Sequence, residues 1–301
     1  MDRKTYLGSH DTSAIFGENP FMTPMTVFMS KTGMLENTKQ TERMSWGLKS
    51  QPMILKEFAD VKSVELEPER FIRHETLDWF GGTPDATIAG RREGVDAKNI
   101  RYANPAEWGD PGTDSIPPYI LWQCHHFLTL LDYDAWHVAV LIGGQEFRIY
   151  TVYRDTELSK IIIDTDGAFW RDHVLPRVPP DIDYTDSSRK YLQLKNKCGN
   201  KTIRDAVEAD SVLIAQLKMA RELLSETEQN VKLLENKICE QIGTDYGISS
   251  PEIGRAIWSD CKGRESVDTK LLKTELPEIY QKYAKRGEPY RTLRVTFCGT
   301  E

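Results

Sequence analysis

The sequence lacks the features that would send it across a membrane or build a cysteine-held metal centre. Its five cysteines, Cys124, Cys198, Cys239, Cys261 and Cys298, stand singly with no CxxC pair. That argues against zinc or iron–sulfur ligation and for free thiols in a reducing compartment. No apolar run approaches the length that crosses a bilayer, and the opening "MDRKTYLGSHDTSAIFG" has no continuous apolar core of the signal-peptide kind. A cytoplasmic protein is expected. Internal repeats and low-complexity tracts are also missing, and so is any excess of positive charge, the net charge being −7 over 301 residues. This balance excludes a protein clothed in basic surface. It does not exclude a metal-dependent nuclease, which gathers acidic residues at its centre and needs only a local basic channel.

What is present is an ordinary globular composition, 39% hydrophobic and 28% charged, enough for one large domain and a smaller one. "SAIFGENPFMTPMTVFMSKTG" reads as two short helices around a Pro/Gly loop, and "MSWGLKSQPMILKEFADV" as a helix with Ile54, Leu55 and Phe58 at three-four spacing. Between residues 65 and 98 the pattern changes to short β-type runs, "FIRHE", "WFGGTPDATIAG" and "GVDAK". "YILWQCHHFLTLLD" is a helix apolar on most sides. "AWHVAVLIG" and "EFRIYTVYR" are strands joined by "GGQ", and "DTELSKIIIDTDGAFWRDHV" is a closing helix.

A boundary is expected in "LPRVPPDIDYTDSSRKY", giving domains 1–185 and 186–301. Beyond it Leu213, Leu217, Ala220, Leu224, Thr227, Val231, Leu234, Ile238 and Ile242 recur at intervals of four and three. This is a heptad stripe on one long helix that should pack lengthwise, on its own chain or on another copy. The tail reads as a strand, a basic turn, two short helices and a final strand. Its basic segments "CKGRES" and "KYAKRGEPYRTLR", with Trp258 and Tyr290, suit either phosphate contact and base stacking or a solvated face.

The chemistry concentrates in "GGTPDATIAGRREGVDAKN", residues 81–99. Alternation along "GVDAK" sends Asp96 and Lys98 to one side of a strand. Asp85 stands on the neighbouring strand. Two carboxylates and an amine so placed suit a divalent ion that activates water and stabilises charge on a phosphodiester. The plainer reading is a turn aspartate after Pro84 and a solvent-facing Asp–Lys pair, and for an isolated D-x-K it is the better one.

The wider context resembles a known family. "TPDATI" with "VDAK" is similar to the PD-(D/E)XK nuclease core. Four further stretches resemble the YqaJ-like viral recombinases related to lambda exonuclease: "LGSHDTSAIFGENPFMTPMTVFMSKTG", "WGLKSQPMILKEFA", "IPPYILWQCHHFLTLLDYDAWHVAVLIGGQEFRIYTVYRD" and "FWRDHVLPRVPPDID". The resemblance implies an α/β fold, a central mixed sheet flanked by helices, with a C-terminal α+β extension containing the long helix. It implies a Mg²⁺- or Mn²⁺-dependent exonuclease that resects linear duplex DNA ends, 5′ to 3′, for phage recombination. Such an enzyme would work with a single-strand annealing protein in a bacterial host, as a homo-oligomeric ring.

By position, Asp85, Asp96 and the Ala97 carbonyl would hold metal, Lys98 would be the catalytic lysine, and Gln123 would orient the site. Arg3, His10, Thr83 and Arg101 would grip the 5′ phosphate, His10 departing from the family serine. Gln51 departs further, standing where the family has a metal-facing glutamate. The chain is then impaired, or was altered deliberately, or Gln51 ligates through its carbonyl oxygen. The alternative function is a DNA-end-binding or inhibitor protein on a nuclease fold. Of His125 and His126, neighbours that cannot easily face one metal, one is expected in the core and the other at the edge of the active site.

Overall fold

The computed structural model describes residues 2–35, 41–68, 70–196, 203–260 and 267–285. The chain divides into two compact units, 1–196 and 197–301.

In the first unit the order is α1 (Ser9–Ile15), α2 (Pro24–Lys31), α3 (Glu42–Lys62), β1 (Leu66–Pro68), β2 (Ile72–Arg73), β3 (Gly81–Gly82), β4 (Ala86–Ile88), β5 (Glu93–Ile100), α4 (Pro118–Leu131), β6 (Ala135–Ile142), β7 (Glu146–Tyr153), α5 (Thr156–Phe169) and α6 (Asp186–Lys195). The main sheet has five strands in the order β1-β4-β5-β6-β7. Only β5 and β6 run parallel. A parallel pair needs a crossover, and α4 supplies it. The sheet is therefore mixed and flanked by helices, the fold class the sequence implies.

Burial on both faces explains why β6 reads as a nearly unbroken apolar run. Its residues Trp136, Val138 and Val140 pack with Ile120, Cys124, Phe127 and Leu128 of α4. Ala139 of β6 packs on the other face with Val95, Ile54 and Phe58, the last two from α3. Residues paired in register share a face. Asp96 and Lys98 pair with Val138 and Val140 and so lie on the α4 side, whereas Val95 and Ala97 lie on the α3 side.

Side-chain caps set the helix starts. Thr23 Oγ1 accepts from the Thr26 amide and Thr41 Oγ1 from the Met44 amide, while Asp155 Oδ1 accepts from the amides of Glu157 and Leu158. Helix α6, beyond the boundary expected at 185, packs on α2, with Ser187 Oγ 2.6 Å from Thr23 Oγ1 and Tyr191 edge-on to Phe28.

In the second unit, α7 (Glu208–Ile242) is a single helix of 35 residues. It is followed by the hairpin of β8 (Gly247–Ser250) and β9 (Gly254–Ile257), then α8 (Thr269–Glu275) and α9 (Pro277–Tyr283). Strand β8, short and containing Gly247, has no alternating pattern and was not expected. The basic turn at 261–266, the expected final strand, Tyr290, Cys198, Cys261 and Cys298 lie outside the described residues. Cys124 and Cys239 are free thiols.

One position tests the packing of the α4 face. Gly94 pairs with the fully buried Trp136, and a Cβ built on Gly94 would overlap that indole ring. The ring is stacked on Phe127 at 4.8 Å and has no room to withdraw. Gly94→Ala is expected to lower stability by about 1–3 kcal/mol, the scale of overpacking a tight core, measured by urea unfolding.

Candidate active site

The cleft is assembled from three parts of the first unit. The residue run before α1 forms a short bridge with the segment before β3, Leu7 N donating to Trp79 O at 2.6 Å and Gly81 N to Leu7 O at 3.1 Å. This brings Arg3, Tyr6 and the start of α1 beside Gly81, Gly82 and Thr83. Buried Lys31 locks the arrangement: its Nζ donates to Asp11 Oδ2 at 2.6 Å and to the Arg3 carbonyl at 2.9 Å. Asp11 also accepts from the Gly8 amide. Gly82 must be glycine because a Cβ there would come within 2.8 Å of the Phe127 ring.

The second part is the β4–β5 hairpin. Ala86 pairs with Val95, and extending this antiparallel register by one residue sets Asp85 opposite Asp96. The Ala97 amide donates to Asp85 Oδ2 at 2.8 Å, fixing the carboxylate against β5. The third part is α4, which lays Gln123 over the even-numbered face of β5. Together Arg3, Gly8, His10, Gly82, Thr83, Asp85, Asp96 and Lys98 line a cleft of about 270 Å³.

Inside it the polar groups form one chain. Lys98 Nζ donates to Asp96 Oδ2 at 3.1 Å and to Gln123 Oε1 at 3.3 Å. The lysine can only donate, so the oxygen of Gln123 faces it and the amide nitrogen faces His10 Nδ1, 3.1 Å away. His10 must then accept at Nδ1 and be neutral. The ring keeps an exposed edge, and the protein packed around it, helped by Lys98, draws its pKa from 6.5 down to about 4, the same direction as that role requires. Burial also depresses the Lys98 ammonium, but Asp96 and Asp85 beside it outweigh this and hold it above the usual lysine range. Lys98 is a cation at neutral pH. Burial pushes the Cys124 thiol well up, with Asp96 adding to it, so Cys124 is no nucleophile.

Asp85 and Asp96 are hard-oxygen donors on a partly open cleft, which suits a Mg²⁺-sized ion that keeps several of its waters. No cluster of three or more His, Cys, Asp or Glu side chains of metal-holding geometry occurs among the described residues. Two carboxylates alone would leave most of such an ion's coordination to water, an open arrangement rather than a closed cage.

Of the other residues singled out in the sequence, Gln51 sits half-buried in α3 and is not on the cleft wall. Its neighbour Ser50 accepts from Asn99 Nδ2 at 3.0 Å, on the Val95 side of the sheet. Arg101 is exposed just past β5, also off the wall, whereas Arg3, His10 and Thr83 are on it. Both histidines of the pair are buried and neither lines the cleft, so the expectation that one would stand at its edge is corrected.

Sequence reasoning missed what His126 does. Its Nε2 is 3.1 Å from the Gly81 carbonyl and its Nδ1 2.7 Å from Thr12 Oγ1, which is itself 2.5 Å from Asp166 Oδ2. A carbonyl only accepts, so Nε2 carries a proton. In the neutral ring Nδ1 accepts the single Thr12 proton, and Asp166 must supply its own to Thr12. Asp166 is fully buried and its second oxygen has no hydrogen-bond partner among the described residues, a poor place for an anion. Burial, reinforced by Asp11, raises its pKa from 3.8 to about 8. This neutral relay ties α5, α1 and α4 to the strand that leads into Thr83–Pro84–Asp85.

A YqaJ-like viral recombinase domain model matches residues 1–134. The Bacillus subtilis (strain 168) protein YqaJ is 30% identical over 294 residues, 95% of this chain and 89% of that protein. Among solved structures, the alkaline exonuclease LHK-Exo of Laribacter hongkongensis is similar at 14% identity and a TM-score of 0.45, covering 58% of this chain and 91% of that one. A phage-related exonuclease of Haemophilus somnus 129PT is similar at 16% identity and a TM-score of 0.42, covering 55% and 92%.

The Asp166 relay sets a pH dependence. Its folded pKa of about 8 lies above the ordinary 3.8, so the folded state holds a proton that the unfolded state releases as pH rises between those values. The stabilisation is complete below the ordinary value and is lost as pH climbs through about 8. The slope is at most about 1.4 kcal/mol per pH unit. Asp166→Asn offers Thr12 a permanent N–H donor. It should flatten the fall in melting temperature between pH 5 and pH 8, whereas Asp166→Ala, which also removes the titrating group, should cost about 1–3 kcal/mol at pH 5, where the relay is intact, by stranding Thr12 and His126.

Proposed function

The chain belongs to the YqaJ-like viral recombinase family, and we propose that it is a divalent-metal-dependent nuclease that resects linear duplex DNA ends, 5′ to 3′, for phage-type recombination by single-strand annealing. The observation that carries this reading is the convergence of Asp85, Asp96 and Lys98 on one cleft, with Gln123 bonded to Lys98 behind its wall. A bound Mg²⁺ or Mn²⁺ would neutralise phosphoryl charge and make a water acidic enough to attack. Asp85 and Asp96, with the Ala97 carbonyl, are the groups to hold it.

Lys98 contributes a fixed positive charge where negative charge grows on the scissile phosphate. Gln123, clamped by His10, keeps that ammonium from swinging away. Arg3 and Thr83 stand on the cleft wall where a terminal 5′ phosphate would be gripped, and His10, neutral, offers Nε2–H as a donor beside them. Arg101 reaches the DNA backbone outside the cleft. The enzyme works as a homo-oligomer in the cytoplasm of a bacterial host, handing single strands to an annealing protein. No helix among the described residues is long and apolar enough to cross a membrane.

A second reading is a DNA-end-binding protein that no longer cuts. The cleft wall, which among the described residues carries the carboxylates of Asp85 and Asp96 and no third, favours it.

Asp85→Ala and Lys98→Ala should each lower cleavage by about three orders of magnitude, the scale of removing a charge-stabilising group, with little change in melting temperature. Release of label from the separate 5′ and 3′ ends of a linear duplex measures this and the polarity. Unchanged digestion in both variants would overturn the assignment, and a wild type that binds ends without releasing label would favour the second reading.

Gln51→Glu tests whether position 51 serves the metal. If it does, the restored carboxylate should raise the cleavage rate most at low Mg²⁺, and the gain should shrink toward saturation because mass action offsets weak binding. An unchanged rate and metal dependence would show that α3 contributes no ligand at this position.

A further inference from the structure

Helix α7 carries its heptad stripe uncovered. Leu213, Leu224, Val231, Leu234 and Ile238 are 64%, 57%, 48%, 51% and 40% exposed. These side chains stay exposed along a helix of 35 residues, about 50 Å long, and among the described residues the stripe is fully buried only at its end, at Ile242. A seam repeated over this many heptads is stable only against another helix.

We propose that the stripe is the contact between two copies of this chain, paired antiparallel about a two-fold axis between Ser225 and Glu226. Set this way, Leu213 meets Ile238 of the second copy, Leu217 meets Leu234, Ala220 meets Val231, and Leu224 meets Thr227. The same layers recur on the other side of the axis. Each small or polar member, Ala220 and Thr227, faces a larger aliphatic one, so every layer is filled. A parallel pair would set Ala220 on Ala220 and Thr227 on Thr227, leaving one thin layer and one polar one.

The flanking charges choose the same direction. In the antiparallel pair Arg221 lies within about 3 Å along the axis of Glu228 of the second copy, and the contact occurs twice by symmetry. In a parallel pair the flanking neighbours are Gln216 with Arg221, Leu223 with Glu228, Asn230 with Glu235 and Lys237 with Ile242, with no opposite charges among them. The pairing stands on α7 alone and does not depend on the nuclease reading.

Disulfide trapping in the full chain tests direction and existence together. In a background carrying Cys198→Ser, Cys239→Ser, Cys261→Ser and Cys298→Ser, the double variant Leu213→Cys/Ile238→Cys should oxidise to a covalent dimer. Neither single variant should. Dimers from the single variants would mean a parallel pair and overturn the proposal, as would no dimer from any of them.

Light scattering on the otherwise unmodified chain gives an independent readout. Leu224→Asp should halve the assembly mass while circular dichroism keeps its helical signal. Arg221→Glu should weaken the pairing, and adding Glu228→Arg should restore it. An unchanged mass for Leu224→Asp, or no rescue by the reciprocal swap, would overturn the proposal.

Discussion

The bond from the Ala97 amide to Asp85 Oδ2, 2.8 Å long, is the constraint on which the cleft depends. Asp85 stands just before β4, beyond the last ladder pair, and nothing in the sheet alone would hold its side chain against β5. The bond does so, and it keeps Asp85 beside Asp96 across the hairpin. Because the donor is a backbone amide within a buried strand, the carboxylate is held without spending a second ionisable group. The approach of α4 to Gly82 completes the setting, and a side chain at Gly82 would push α4 and Gln123 away from Lys98.

Charge is distributed around that bond in two distinct ways. In the cleft, Lys98 is balanced by Asp96 and Asp85 and stays protonated in a partly buried setting, its side chain 21% exposed. Behind the cleft the relay of Asp166, Thr12 and His126 is neutral, so the support of α1 adds no net charge of its own beside the cleft. Lys31 and Asp11 form a compact ion pair between the two, with Asp11 also taking the Gly8 amide and Lys31 the Arg3 carbonyl. Such a pair earns its place as a positional lock more than as net stability, since desolvation offsets much of its attraction.

Much of the fold was legible because its signals are periodic. Two-residue alternation put Asp96 and Lys98 on one face, and the apolar surround of "YILWQCHHFLTLL" marked α4 as a buried helix. The heptad stripe of α7 was equally plain, and it announced lengthwise packing without saying on what. What the sequence concealed was contact between distant residues. Thr12 and Asp166 are 154 positions apart and His10 and Gln123 are 113 apart, and no local pattern relates them. Gln51 is the instructive intermediate. Its helix was readable, but which side of the sheet that helix covers depends on Ile54 and Phe58 meeting Val95 and Ala139, a tertiary choice.

Metal-dependent cleavage at this cleft, as proposed, requires Asp85 and Asp96 together to bind the divalent ion. Anomalous diffraction from crystals of the full chain soaked in Mn²⁺ examines it most directly. A peak is expected within about 2.5 Å of carboxylate oxygens of both residues, the distance range of hard-cation ligation. A Mn²⁺ peak elsewhere, with none between Asp85 and Asp96, would contradict it.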